Sequence, residues 1–342
     1  MNEKIVYILG AGFSYSANIP TQGTLLQKIL EYEVGFEAPE FSVAKETLEE
    51  FLSEIFPIPH KVDIEDLFTI LDRAANEKER FTSYKWDELN KLRNNLIYLI
   101  LYLINNSLLD VDISQSAYKK FTEHLVNLRT NAGKDIAIIS TNWDNLLERF
   151  LSAYSNSHED EKIRTDYCIY TYGINNSDRH IPHITLKAKD YKNIKLLKLH
   201  GSINWLYCSQ CKRMYVDNES ISIEKKECRF CNQQEMYNHV SAGTHEQQAI
   251  VSSSQSQKIY IEPIIITPTL LKKYHNLYIQ GIWQNAFIEL QEATKVVFIG
   301  YSLPKIDFEL KYLLKKAITK EIPIEVIEKR KQARKFLSTI SG

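Results

Sequence analysis

The residues of this chain best suited to ordering a water and moving a proton are Thr141-Asn142-Trp143-Asp144 and His200-Gly201. The amide of Asn142 both donates and accepts, so it can hold a water beside a sugar hydroxyl. His200 carries the one side chain with an ordinary pKa of about 6.5, which suits a general base at neutral pH. Asp144 can cap a following helix, contact a ligand, or do both. Taken singly, each has a plain structural alternative: a cap, or a turn histidine. A second group of candidates binds rather than reacts. Gly10-Ala11-Gly12-Phe13-Ser14 is a glycine turn whose bare backbone can approach a phosphate, with the N–H groups of an opening helix aimed at the anion. Its alternative is a tight turn without a ligand, and Ser14 either bonds a phosphate or caps the helix. Gly300-Tyr301-Ser302 and Thr141 join this group. Asn18-Ile19-Pro20-Thr21 reads as a loop that covers the ligand, or as an ordinary helix stop.

A third constellation is metal chemistry. Cys208-x-x-Cys211 and Cys228-x-x-Cys231 have the spacing of four-cysteine zinc ribbons, in which each pair supplies two thiolates and two pairs complete a tetrahedron. Four ligands close the shell, so the expected zinc is structural. Cys168 stands apart from the set.

These residues need strands to position them. Lys4 to Leu9 reads as an apolar strand running into the first glycine turn, and 4–34 reads as strand, turn and helix. Residues 35–130 read as helices, with Asp63 as an N-cap, one long helix from Trp86 to about Asn106, and an apolar run Leu96–Ile104 at its centre. That run is about half of the ~20 residues a membrane span needs, so it is a core helix. Asp135–Ser140 is a continuous apolar strand, as expected where both sheet faces are covered, and a helix from Asp144 to about Tyr154 follows it. Further strands are expected at Leu196–Leu199, Pro263–Ile266, Lys295–Ile299 and Ile324–Ile327, with a loop from Asn232 to Lys258. Strands alternating with helices predict an α/β fold, a Rossmann-like doubly wound parallel sheet with a helical insertion and a small four-cysteine zinc module. The expected partition is a Rossmann-like domain of 1–34, 131–207 and 260–342, a helical insertion of 35–130, and a zinc ribbon with loop at 208–259. In such a sheet ligands lie beyond the carboxyl ends of the strands, and four of the motifs fall there.

The totals narrow the class. The chain has 342 residues, 44% of them apolar, enough for a large core. A formal net charge of −1 gives no general attraction to nucleic acid or to an anionic membrane. The basic run Glu328 to Lys335 reads as the solvated face of a last helix. The first residues read as a strand and not as a signal peptide, and five cysteines without a secretory signal fit a cytoplasmic protein with no membrane segment.

Taken in order, Gly10-Ala11-Gly12-Phe13-Ser14 with Ile19-Pro20, Thr141-Asn142-Trp143-Asp144, His200-Gly201, the two Cys-x-x-Cys pairs and Gly300-Tyr301-Ser302 resemble the sirtuin family over most of the chain outside 35–130. The details are closer to the bacterial sirtuin-like branch than to the deacetylases. Ser140-Thr141-Asn142-Trp143-Asp144 stands where deacetylases carry a Thr-Gln-Asn-Ile-Asp type of run. Asn18 replaces a glycine, Thr21-Gln22 replaces Phe-Arg, and Gly300-Tyr301-Ser302-Leu303-Pro304 with a following Asp307 replaces Gly-Thr-Ser-Leu. The last strand is followed by Glu328, where the family usually has an Asn that contacts adenosine.

The resemblance implies an NAD-consuming enzyme that breaks the nicotinamide–ribose bond, and the branch is similar to the NAD-degrading effectors of bacterial anti-phage defence. It implies Asn142 and His200 as the catalytic pair. It implies cofactor contacts from Gly10, Ala11, Gly12, Ser14, Thr141, Asp144, Gly300 and Ser302, with the glycine turn on the pyrophosphate and Asp144 at the nicotinamide end. It also suggests a homo-oligomer, or action beside a separately encoded ATPase or helicase. Two other readings differ in class: an NAD-dependent protein deacylase, and an NAD or ADP-ribose sensing scaffold that works through residues 35–130 without turnover.

Overall fold

The structure, a computed structural model, describes residues 3–35, 38–58, 61–112, 114, 116–158, 163–174, 192–217, 226–232, 258–269, 276–302 and 307–327. The polar stretch at 233–257 and the basic run at 328–335 lie outside the described residues. The chain divides into two compact units. The larger comprises Met1–Ile169, Thr185–Ile203 and Ile265–Gly342, and the smaller Tyr170–Ile184 and Asn204–Ile264.

The larger unit is built on a six-stranded sheet. Its strands are β1 (Lys4–Leu9), β2 (Asp135–Ser140), β3 (Ile163–Asp166), β5 (Lys192–Lys198), β10 (Lys295–Ile299) and β11 (Ile324–Ile327). They lie in the order β11-β10-β1-β2-β5-β3, and every pairing is parallel. Every residue of β1 is buried, as are five of six in β2, which explains the unbroken apolar runs: neither face of these strands meets water. The chain leaves β1 toward β2 on one side, and leaves β10 toward β11 on the other. The order therefore reverses between β1 and β10, where α/β sheets open a crevice.

Between β1 and β2 the chain forms α1 (Ala11–Ser14), α2 (Gln22–Glu31), α3 (Pro39–Ile55), α4 (Ile64–Glu77), α5 (Trp86–Leu109) and α6 (Ser116–Thr130). Asp63 caps α4, its carboxylate accepting the Glu65 N–H at 3.0 Å. The Leu96–Ile104 run forms the buried centre of α5, and among the described residues no helix is long and apolar enough to cross a membrane. The insertion is helical as expected, but it belongs to the larger unit and does not separate from it. One reason is buried Asp72 of α4. It pairs with Arg93 of α5 at 2.5 Å and accepts the Thr267 hydroxyl at 2.6 Å, tying the helices to the chain that follows β9 (Tyr260–Ile265). The remaining helices are α7 (Leu146–Ser157), α8 (Leu277–Glu292) and α9 (Phe308–Ala317). The helix expected from Asp144 begins at Leu146, and Asp144 sits just outside it, accepting the Leu146 N–H at 3.1 Å.

The smaller unit is larger than the cysteine module expected at 208–259. It carries a five-stranded sheet in the order β4-β7-β6-β9-β8, made by β4 (Tyr172–Gly173), β6 (Gly201–Tyr207), β7 (Met214–Val216), β8 (Lys226–Glu227) and β9. The strand expected at Pro263–Ile266 therefore does not extend the parallel sheet. It is part of β9, paired antiparallel with β8 through Lys226↔Ile261. Residues 170–174 belong to this unit, where β4 pairs with β7, and the chain passes into it again between 203 and 204.

Candidate functional site

The register of the parallel sheet decides which motifs meet. Leu9 is paired with Ser140 on one side and Ile299 on the other, and Ser140 with Lys198. Gly10, Thr141 and Gly300 thus leave the sheet side by side. Asn142 and His200 each lie two residues beyond the paired Ser140 and Lys198, on strands ~4.8 Å apart. Leu199 N–H donates to Ser140 O at 3.0 Å, which holds the two strand ends in step.

The two glycine turns pack directly against each other. Gly12 N–H donates to Gly300 O at 2.8 Å, and Gly10 N–H to Ile299 O at 3.1 Å. A Cβ on Gly10 would lie 2.6 Å from the Tyr301 Cα, and one on Gly12 2.7 Å from the Gly300 oxygen. Gly300 itself has φ +61°, and a Cβ there would lie 2.2 Å from the Phe13 nitrogen. The three glycines let two loops interlock at backbone distance. With Phe13 N–H donating to Gly10 O at 2.9 Å, the N–H groups of residues 10, 12 and 13 are engaged within the protein. Among the described residues, the Ala11 N–H makes no hydrogen bond, and Ala11 is exposed.

Asn142 is 9% exposed, and its Nδ2 donates to Gly10 O at 2.9 Å and to Ser14 Oγ at 3.1 Å. Ser14 passes its own hydrogen to Asp144 Oδ2 at 2.8 Å. Both carboxylate oxygens of Asp144 therefore accept from the protein, Oδ1 from Leu146 N–H. Ser14 holds the amide of Asn142, and Asp144 holds Ser14. With both amide hydrogens donated inward, Oδ1 is the atom of Asn142 left to accept. Thr141 donates its N–H to Leu9 O at 3.1 Å and its hydroxyl to the same oxygen at 3.3 Å.

Beneath this loop lies Lys198, 1% exposed, which nothing in its sequence context marks beyond a place in an apolar strand. Its ammonium donates to Asp144 O, to Trp143 O at 3.5 Å and to Glu148 Oε1 at 3.1 Å. Burial pushes the Glu148 carboxyl up, and the Lys198 charge opposes that shift.

His200 is flanked by Trp283, whose ring centre is 6.3 Å away and whose Nε1 donates to Leu199 O at 3.0 Å. The His200 carbonyl accepts Ile266 N–H at 2.8 Å. Its Nε2 lies 3.4 Å from Asp307 Oδ1, within ion-pair distance but without hydrogen-bond alignment. Tyr301 OH donates to Asp307 Oδ2 at 2.6 Å. Asp307 and Tyr301 were legible only as neighbours of the Gly300 turn. Ser302 is exposed beside them.

In the smaller unit, Cys208, Cys211, Cys228 and Cys231 place their sulfurs within 4.8 Å of one another. Cys208–Cys231 and Cys211–Cys228 stand 3.6 and 3.7 Å apart. A tetrahedron with Zn–S bonds of about 2.3 Å has edges of about 3.8 Å, so the four thiolates fit zinc. Burial acts to raise the Cys211 thiol, but hydrogen bonds from Arg213 outweigh it and bring the thiol down to about 7. Tyr215 OH lies 3.1 Å from the Cys228 sulfur, the kind of outer contact that orients a ligand. Cys168 belongs to the larger unit and is not one of the four clustered thiols.

An all-parallel sheet with loops converging where its strand order reverses, plus a separate four-thiolate cluster, defines a Rossmann-like α/β protein with a zinc module. The profile described as a SIR2-like domain matches residues 136–323, more than half of the chain, and the chain belongs to that family. Among solved structures, a Sir2 homologue in complex with NAD is 13% identical, with 99% of this chain and 89% of that one covered and a TM-score of 0.43. A structure described as bearing on the mechanism and regulation of Sir2 enzymes is 16% identical, with 99% and 90% covered and a TM-score of 0.38. A comparison with curated proteins finds no match.

Proposed function

We propose that this chain is an NAD hydrolase that cleaves the nicotinamide–ribose bond to give nicotinamide and ADP-ribose. The observation that supports the reading is the register of β2 and β5, by which Asn142, with a spare acceptor, and His200 each follow a paired position at the same sheet end. The chemistry asks for little more. Nicotinamide is cationic while bound to ribose and leaves as a neutral base, so no acid is required. The bond from C1′ to nitrogen breaks as an oxocarbenium-like centre forms, and a water oxygen then bonds to C1′. Asn142 Oδ1 accepts one hydrogen of that water and orients it. His200 takes the proton that the water loses, or one from a ribose hydroxyl. Ser14 and Asp144 hold Asn142. Ala11 N–H, the glycine turns and the Ser302 hydroxyl are the groups offered to the cofactor. The four cysteines hold a zinc that builds the smaller unit and takes no part in the reaction.

The wider reading, an NAD-depleting effector of anti-phage defence acting in the cytoplasm as a homo-oligomer or with an ATPase or helicase partner, rests on the sequence resemblance. The test is mass-resolved product analysis of NAD incubated with the purified chain, with and without an acetylated peptide. ADP-ribose and nicotinamide formed without peptide are expected, and Asn142→Ala or His200→Ala should abolish them. Strict dependence on peptide would instead establish a deacylase. Binding without products, together with wild-type behaviour of both variants, would leave a sensing scaffold.

A further inference from the structure

His200 Nε2 is shut away from solvent and, among the described residues, makes no hydrogen bond; the Asp307 carboxylate lies 3.4 Å away. A buried ring nitrogen beside an acceptor is satisfied only if it carries a hydrogen. The second carboxylate oxygen is held by Tyr301, a buried phenol whose hydroxyl donates at 2.6 Å. Burial, and then the Asp307 charge, push that phenol far up, so it keeps the hydrogen that it donates to Asp307 Oδ2. Asp307 is itself fixed at the start of α9, 3% exposed. Trp283 and the Ile266 N–H hold the ring's flank and its backbone. Neither offers the buried nitrogen an alternative.

We propose that Asp307, oriented by Tyr301, is the positioning residue of His200, fixing the imidazole as the Nε2–H tautomer so that Nδ1 is the atom that accepts the proton. This deepens the hydrolase reading and rests on it for the word proton acceptor, but the tautomer itself does not depend on NAD. A carboxylate that sets a histidine tautomer is a device with known leverage, since its loss in a serine protease triad lowers kcat by about 10⁴ through the wrong tautomer.

The geometry makes the Asp307→Asn variant decisive. Tyr301 OH donates to residue 307 in the wild type, and where it keeps donating it retains the amide oxygen and the amide nitrogen is turned toward Nε2. That nitrogen donates, which forces the hydrogen of His200 onto Nδ1. The experiment is ¹⁵N NMR of the full chain with labelled histidine, at a pH where the imidazole is neutral, with His200 assigned by its loss in His200→Ala. The wild type should show a protonated Nε2 and an unprotonated Nδ1, and Asp307→Asn should show the reverse. The kcat for NAD loss should fall ~10²–10⁴-fold in Asp307→Asn with KM changed less than about threefold, and about tenfold in Tyr301→Phe. A wild-type Nδ1–H tautomer, or an Asp307→Asn variant with unchanged tautomer and kcat, overturns the proposal. If the wild type leaves NAD intact, the hydrolase reading fails, and the NMR result still decides the role of Asp307. If His200→Ala abolishes turnover while Asp307→Asn does not reduce it, the hydrolase stands and the positioning role falls.

Discussion

Replacing Lys198 by methionine should cost this protein about 4 kcal/mol of stability at neutral pH and should disorder the loop that carries Asn142. The ammonium is 1% exposed and has three hydrogens for three acceptors: Asp144 O, Trp143 O and Glu148 Oε1. Methionine keeps most of the volume and none of the donors. The carboxylate of Glu148, whose side chain is 12% exposed, then stands buried without its cation. Breaking one partner of a buried pair costs ~3–5 kcal/mol, and an unpaired buried carbonyl ~1–3 kcal/mol. The terms overlap, because a neutralised glutamic acid can turn and donate to one of the carbonyls. The sum is a sizeable part of a domain stability of roughly 5–15 kcal/mol.

The pH dependence supplies the sharper test. Burial raises the Glu148 carboxyl and Lys198 opposes it, so without Lys198 the rise is larger. A carboxyl whose folded pKa lies above its unfolded value favours folding at low pH, and that contribution is lost as pH rises through the folded pKa. The deficit of Lys198→Met relative to wild type should therefore be smaller at pH 5 than at pH 8, by ~1.4 kcal/mol for each unit of additional rise. Urea unfolding followed by circular dichroism at the two pH values measures both deficits. A second substitution, Glu148→Gln, should restore stability at pH 8 and flatten the pH dependence. A loss below about 1 kcal/mol, or an equal loss at both pH values, refutes the claim that this ammonium holds the loop.

Two further outcomes are expected. Gly300→Ala should destabilise the chain by more than ~3 kcal/mol, because it sets a Cβ 2.2 Å from the Phe13 nitrogen at a φ of +61°. Gly133→Ala, at the same φ with nothing within 4 Å, should cost only ~1–2 kcal/mol, so equal shifts in urea midpoint would deny the interlock. The purified chain should carry one zinc held by its four cysteines, measured by elemental analysis. Chelation, or Cys228→Ser, should release it and make the segment Asn204–Ile264 the first site of limited proteolysis.

The parallel core was legible because its strands are covered on both faces. Val6, Ile8, Ile138 and Phe298 are buried residues in short uninterrupted apolar runs rich in β-branched residues, the pattern of a strand covered on both faces. The zinc cluster was legible because ligand spacing is local in sequence. What escaped is non-local or two-sided. β4 is two residues long and exists through its pairing with β7. β9 reads as one more apolar strand, and only its partner β8 reveals that it belongs to the other sheet. Lys198 looks like an edge of an apolar run, since a sequence does not show that three acceptors from 143–148 lie around its ammonium. Asp307 was noticed, but its meaning depends on a histidine 107 positions earlier, in contact across 3.4 Å.

The glycine motif has a structural role that its sequence pattern alone does not show. Read alone, Gly10 and Gly12 suggest a surface stripped of side chains for an anion. In the folded chain those same missing Cβ atoms are filled by the backbone of Gly300 and Tyr301. The interlock joins the two strands at which the sheet order reverses, and it fixes the Gly10 carbonyl that receives the Asn142 amide. It also fixes Tyr301, through which Asp307 is oriented. The turns therefore act on the candidate chemistry from two sides, through Gly10 O on the amide and through Tyr301 on the imidazole. A substitution in either loop should consequently disturb Asn142 and His200 together, whereas Ser14→Ala should loosen only Asn142 and leave the His200 tautomer unchanged.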